Sequence, residues 1–187
     1  MNIKKIIKIL MIISILSLVL MFYLINYKKE STKTNNEVTS YKDISNVSVG
    51  LTKEEIEKQI GKSINSVQKA EITISNYKSD NIYRPHQIYF DKNNNSELII
   101  KEITDNSMTT DKMREDSGLA TNILYEKKEH SSFNLYVYLN KGIAYRGHAN
   151  GGLVLEIWYF KPTDIDSFIE KYAQNYQKTP FTEQTGY

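Results

Sequence analysis

The residues able to do acid-base, nucleophilic or metal chemistry in this chain are few and scattered. Its three histidines, His86, His130 and His148, show no H-x-x-x-H or comparable spacing, the arrangement that would bring two imidazoles to one metal. His86 follows Pro85 near the start of a strand pattern, His130 sits in the charged run KKEHSS, and His148 precedes the turn pair Asn150-Gly151. Ser131 and Ser132 stand beside Glu129 and His130. A serine nucleophile needs a base facing it in space, and no G-x-S-x-G elbow is present. The run 147–152, GHANGG, has the glycines of a phosphate loop but lacks the Lys-Ser/Thr end and a following helix, so it reads as turn chemistry. There is no cysteine, which removes thiol catalysis, disulfides and thiolate zinc sites together. The acidic residues show no spacing that marks a carboxylate pair. The sequence thus points to no catalytic residue, no metal and no cofactor.

A different kind of site is legible in the alternation of 133–139, FNLYVYL. It sets Phe133, Leu135, Val137 and Leu139 on one face of a strand, and Asn134, Tyr136 and Tyr138 on the other. If the aliphatic face meets the core, Tyr136 and Tyr138 point outward, and adjoining strands add Tyr145 or Arg146 and Trp158 to the same surface. Aromatic rings on an open sheet face bind extended peptides or sugars. Tyr136, Tyr138, Tyr145, Arg146 and Trp158 are therefore the expected partner-binding set, for an envelope protein or a wall polymer. The competing expectation is that these rings pack beneath the segment 105–118, or form cross-strand pairs that stabilise the sheet.

The elements that must position such a surface come in chain order. In 51–62, LTKEEIEKQIGK, Thr52 caps a helix, Glu55 completes a capping box, Leu51 and Ile56 form a hydrophobic staple, and Gly61 stops the helix after about two turns. Strand patterns occupy 70–77, 87–91 and 97–104, the last two joined by the turn-forming KNNNS of 92–96. The polar stretch 105–118 reads as a surface loop with a helical turn at 110–116, and 119–126 resumes a strand. The clearest pattern is a three-stranded meander over 132–160, with turns at Asn140-Lys141-Gly142 and Asn150-Gly151. Its last strand, 153–160, is apolar on both faces apart from Glu156, as a central strand is. Beyond Pro162, the residues Ile165, Phe168, Ile169, Tyr172 and Tyr176 make one apolar stripe on a helix that ends before Pro180. Such a stripe must cover a sheet. The expected fold class is α+β: one domain whose antiparallel sheet, including the C-terminal three-stranded meander, is covered on one side by short helices. The segment 49–62, VGLTKEEIEKQIGK, resembles the opening helix of small outer-membrane-assembly lipoproteins of the β-lactamase-inhibitor-like fold. The likeness spans 14 residues, without the proline usual after the G-x pair, and no site residue is carried over from it.

Ahead of these elements lies 6–27, IIKILMIISILSLVLMFYLINY, whose only charge is Lys8. As a helix it would be about 33 Å long, matching a hydrocarbon core of about 30 Å, with Tyr23 and Tyr27 at interfacial depth. A cleaved signal needs small residues after the apolar core, and 22–29, FYLINYKK, offers none. The expectation is an N-terminal transmembrane helix, with 1–29 an uncleaved signal anchor, 30–45 a flexible polar tether, 46–180 a single α+β domain and 181–187 a loose tail. A short basic N-terminus before one span puts the expected N-terminus in the cytoplasm and the domain outside the cell membrane.

Residues 1–29 hold five of the 24 basic residues and none of the 22 acidic ones, so the remainder is mildly acidic, 19 against 22. That balance argues against nucleic acid as a partner, since phosphate binding needs a concentrated basic face. Abundant Ile, Lys, Asn and Tyr with 3 Pro and 8 Gly fit the codon bias of an AT-rich genome, such as that of a low-GC Gram-positive bacterium. The function expected is a non-catalytic, membrane-anchored extracytoplasmic binding or accessory module of a bacterial envelope. The alternatives are an exported wall-polymer or peptide hydrolase, and a sensory or accessory subunit of a membrane complex.

Overall fold

Short polar turns between alternating strands favour neighbours that pair in sequence order, and the chain folds on that rule twice. The computed structural model describes residues 43–180 apart from Ile82 and Glu129. The expected anchor, most of the tether and the tail lie outside the described residues. Among those residues, no helix is long and apolar enough to cross a membrane. Ile44, inside the expected tether, is buried in a 3-10 turn, Ile44–Asn46. Ile44, the buried Val47 beside it and the Asp43–Lys101 ion pair tie that turn to the domain.

The strands are β1 (Asn65–Lys69), β2 (Ile72–Tyr77), β3 (His86–Phe90), β4 (Ser96–Glu102), β5 (Asn122–Glu126), β6 (Phe133–Tyr138), β7 (Ile143–His148), β8 (Val154–Phe160) and β9 (Tyr176–Gln177). The helices are α1 (Lys53–Ile60), α2 (Thr110–Ser117) and α3 (Ile165–Tyr172). All these strands join one sheet in the order β1-β2-β3-β4-β8-β7-β6-β5-β9, every pairing antiparallel. The α+β class and the antiparallel meander are as the sequence implies.

The sequence pattern does not announce that the domain is a tandem repeat. One helix and four strands, α1 and β1 to β4, are followed by α2 and β5 to β8 in the same arrangement, joined edge to edge through β4 and β8. Residue for residue, α1 and α2 lie 57 positions apart, as do β1 and β5. Their caps correspond: Thr52 and Thr109 begin the helices, Gly61 and Gly118 end them. The register irregularity at Tyr89/Phe90 recurs at Arg146/Gly147, and the bridge Thr52↔Asn95 recurs as Thr109↔Leu153. The antiparallel β4–β8 pair, Leu98↔Phe160 to Glu102↔Glu156, therefore relates the halves by an approximate two-fold axis.

Helices pack on both faces of the sheet, which corrects the expectation of helices on one side. β4 and β8 sit at the centre and bury residues on both faces, so each face needs its own lid. On one face, Phe168 of α3 packs on Leu98, Ile100, Leu135, Val137, Trp158 and Phe160. On the other, Ile56 of α1 packs on Ile88, Phe90 and Ile99, and Met113 of α2 on Tyr136, Tyr138, Tyr145 and Ile157. The C-terminal stripe also ends sooner than its spacing implies. The helix stops at Tyr172, and Tyr176 enters β9, pairing with Glu126 on the edge of β5. Satisfying that open edge wins over another helical turn. β1 is a strand without a strand signature, because NSVQK holds one apolar residue and is exposed throughout.

Candidate functional site

The two-sided pleat decides where the expected partner-binding residues go. Tyr136, Tyr138 and Tyr145 share the face covered by α2 and are buried there. The Tyr138 hydroxyl donates to the Gly118 carbonyl at 2.8 Å, and its ring meets Tyr145 edge-on at 5.9 Å. The Tyr136 hydroxyl donates to the His148 carbonyl at 3.2 Å. Arg146 and Trp158 lie on the opposite face, with α3, since neighbours along a strand alternate sides. The five residues do not form one surface, and α2, drawn from the 105–118 segment, seals the tyrosines.

Arg146 instead centres a buried charge network on the α3 face. Its Nε and Nη2 donate to Glu126 Oε1 at 3.0 and 2.9 Å, and Nη1 donates to Glu156 Oε1 at 3.0 Å. The Trp158 indole N–H donates to Glu156 Oε2 at 2.8 Å, Ser131 Oγ donates to Glu126 Oε2 at 2.6 Å, and the Tyr176 hydroxyl reaches Glu126 at 3.4 Å. Burial alone would pull the guanidinium down, but Glu156 and Glu126 outweigh it and hold Arg146 above its ordinary range. Across the β4–β8 ladder from Glu156 stands Glu102. Burial, then the charge of Glu156, push its carboxyl up to about 7, with Arg84 and Arg146 opposing. Arg84 Nη2 lies 2.9 Å from Glu102 Oε2 as an ion pair, off the line of a hydrogen bond. Glu102 and Glu156 edge a hollow of about 240 Å³ with Arg84, Gln87 and Ile100.

The histidines are dispersed. His86 accepts the Glu102 backbone N–H on Nδ1 at 3.0 Å, and burial, with Lys101 adding, pulls it down to about 4. His148 lies tilted against the Phe133 ring, with centroids 4.4 Å apart. His130 takes a positive φ of 57° in the β5–β6 loop. Among the described residues no group of histidines and acids could hold a metal.

A wide opening lies on the α3 face of the first repeat. A cleft of about 830 Å³ has Ile72, Ile74 and Tyr89 on its floor, and Lys69, Lys92 and Tyr172 among its rim residues. The repeat gives it meaning. Val67, Ile74 and Tyr89 hold the positions that Leu124, Leu135 and Arg146 hold in the second repeat. Leu124 and Leu135 are fully buried under α3, whereas Val67 is 52% exposed and Ile74 only half-buried. No chemical motif in the sequence points to this site. The signal that leads to it is the period of 57 that aligns Leu51, Thr52, Ile56 and Gly61 with Met108, Thr109, Met113 and Gly118.

The chain matches no protein-family model, no curated protein and no solved structure.

Proposed function

We propose that this is a non-catalytic binding module, that its partner docks in the open cleft of the first repeat, and that residues 1–29 hold it to the outer side of a bacterial cell membrane. The observation that carries the reading is the half-buried apolar floor of Ile72 and Ile74, with Tyr89 at its inner end against the α3 core, left open where the equivalent floor of the second repeat is closed by α3. A floor of this kind with a charged rim is the usual form of a recognition site. The apolar run at 6–27 and the acidic balance of the remainder support the placement at an envelope, away from nucleic acid.

The test is a photo-crosslinking side chain placed at Ile74 or Tyr89 of the full-length protein in intact cells, with a control at the exposed Leu119. Adducts from Ile74 and Tyr89 that Leu119 does not give, on a domain digestible from outside, support the reading. Equal labelling from all three sites overturns the cleft, and a protected domain overturns the orientation. Exchanging residues 1–29 for an unrelated span separates the accessory-subunit alternative, which requires loss of function on the swap.

The hydrolase alternative has one specific observation in its favour, the protonatable Glu102 beside Glu156 at the edge of a hollow. Against it, Glu156 is held by Arg146 and Trp158 in a structural charge network on both of its oxygens. Turnover of wall fragments or peptides that vanishes in Glu102→Gln would establish it.

A further inference from the structure

In the second repeat the C-terminal segment performs two closures: α3 covers the sheet face, and β9 pairs with the outer edge of β5, Tyr125↔Gln177 and Glu126↔Tyr176. The first repeat has the matching edge on β1, with Gln68 and Lys69 in the places of Tyr125 and Glu126, and no strand among the described residues pairs with it. All five residues of β1 are exposed. Free edges in native sheets are normally blunted by short length, proline, bulges or charged side chains, lysine above all. β1 has neither a proline nor a register irregularity, and its only charge is the terminal Lys69.

The exchange of Glu126 for Lys69 sets the chemistry of the occupant. Glu126 receives the Tyr176 hydroxyl of the closing strand and the Arg146 guanidinium. Among the described residues, by contrast, the Lys69 ammonium has no ion-pair or hydrogen-bond partner, and neither has that of Lys92 on the same rim. Two acids of that rim are already engaged. Asp91 accepts the backbone N–H groups of Asn93 and Asn95 at 2.9 and 2.8 Å, and Glu97 pairs with Lys171. Of the rim acids, Glu71 is left against the two lysines.

Building on the binding role assigned to the cleft, we propose that β1 takes an extended peptide segment of a partner protein, antiparallel as β9 is on β5. An acidic side chain of the segment meets Lys69, and apolar side chains lie over Val67 and Ile74. Main-chain hydrogen bonds to the strand edge supply sequence-independent affinity, and the cleft floor with Lys69 supplies selectivity.

The experiment uses full-length protein in lipid nanodiscs, screened against short random peptides displayed on phage, with titration of the recovered sequences. The expected peptides alternate apolar residues with Asp or Glu, and they slow amide exchange across Asn65–Lys69. They should lose affinity about tenfold or more in Lys69→Glu, with binding restored when the peptide's acid is replaced by lysine. Lys69 is exposed, so this variant folds, and circular dichroism checks that it does. Peptides that are lost in Ile74→Glu but ignore Lys69→Glu, and leave β1 exchange unchanged, overturn the edge inference while the cleft reading stands. Recovery of helical peptides, or self-association of the protein in place of peptide capture, likewise overturns it. Failure to recover any peptide sensitive to either variant overturns both.

Discussion

In the second half of the sheet Leu124 and Leu135 lie beneath α3 and the edge of β5 carries β9; in the first half Val67 and Ile74 hold the same positions with neither covering. The backbone plan of the two halves is shared down to helix caps and strand irregularities, so the difference is not one of folding rules. It comes from a single C-terminal segment, which covers the second half and reaches β4 and Tyr89 of the first but leaves the outer strands of the first uncovered. A scaffold of two like halves closed once has one sheet face fully covered and one left partly open to solvent.

The largest loss of stability is expected at the closure itself. Phe168 is fully buried with its ring 4.6 Å from Phe160 and 6.3 Å from Trp158, and Phe168→Ala should cost about 3–5 kcal/mol in chemical denaturation. The equivalent loss at the open floor, Ile74→Ala, should cost less than half as much; equal losses would mean that the cleft is part of the core. Next comes Arg146→Met, which leaves Glu126 and Glu156 facing each other without their cation. A loss of about 3 kcal/mol is expected, against about 1 kcal/mol or less for Tyr89→Phe at the equivalent position.

Glu102 and His86 make stability depend on pH in opposite senses. Glu102 has a folded pKa of about 7, above its unfolded value, so its contribution is present at acid pH and is lost as pH rises through 7. His86 has a folded pKa of about 4, below its unfolded value, so its contribution is present above about 6.5 and is lost as pH falls towards 4. Between about pH 4.5 and 6.5 the two slopes oppose each other. In Glu102→Gln the His86 slope remains alone, and stability should rise over that window by on the order of 1–2 kcal/mol relative to the wild type. Thermal or urea melts at pH 4.5, 5.5 and 6.5 would show it, and parallel curves would refute it.

Smaller effects sharpen the comparison between the helices. Thr52 and Glu55 make a complete capping box, the Glu55 carboxylate accepting the Thr52 N–H at 2.8 Å, whereas Thr109 accepts only the Lys112 N–H at 3.2 Å. Thr52→Ala should cost about 1 kcal/mol or slightly more, and Thr109→Ala less. The smallest effect is Val67→Ser at the exposed edge, within about 0.5 kcal/mol of wild type, while it weakens any segment bound there.

Which elements are legible in the sequence depends on where their signal resides. The helix from Thr52 to Gly61 carries its start, stop and staple within the eleven residues from Leu51 to Gly61, and the structure has that helix. The 132–160 meander combines strict alternation with two turn pairs, and its strands also form where the pattern puts them. β1 escapes notice because a strand that exposes every residue has no burial pattern to print on its sequence. The aromatic set is misplaced by alternation alone, which says which residues share a face but not which face meets a lid. Leu135 and Tyr136 are both buried, each under a different helix. Tyr176 fits the helical stripe by spacing, and only the open edge of β5, created by residues 50 positions earlier, draws it into a strand. The repeat itself is visible in the spacing of Thr52 and Thr109 but is diluted by loops of unequal length, Ala70-Glu71 against 127–132.

The pairing of β4 with β8 has a consequence for how the chain reaches this state. Each repeat is a run of local hairpins that can close quickly, but Leu98 must wait for Phe160 before the two halves join. That contact is the long-range step expected to limit the folding rate. Until β8 has emerged, β4 presents Leu98, Ile99 and Ile100 on a bare strand edge that is destined for the centre of the sheet. The period of greatest aggregation risk is therefore the interval between synthesis of the first repeat and completion of the second.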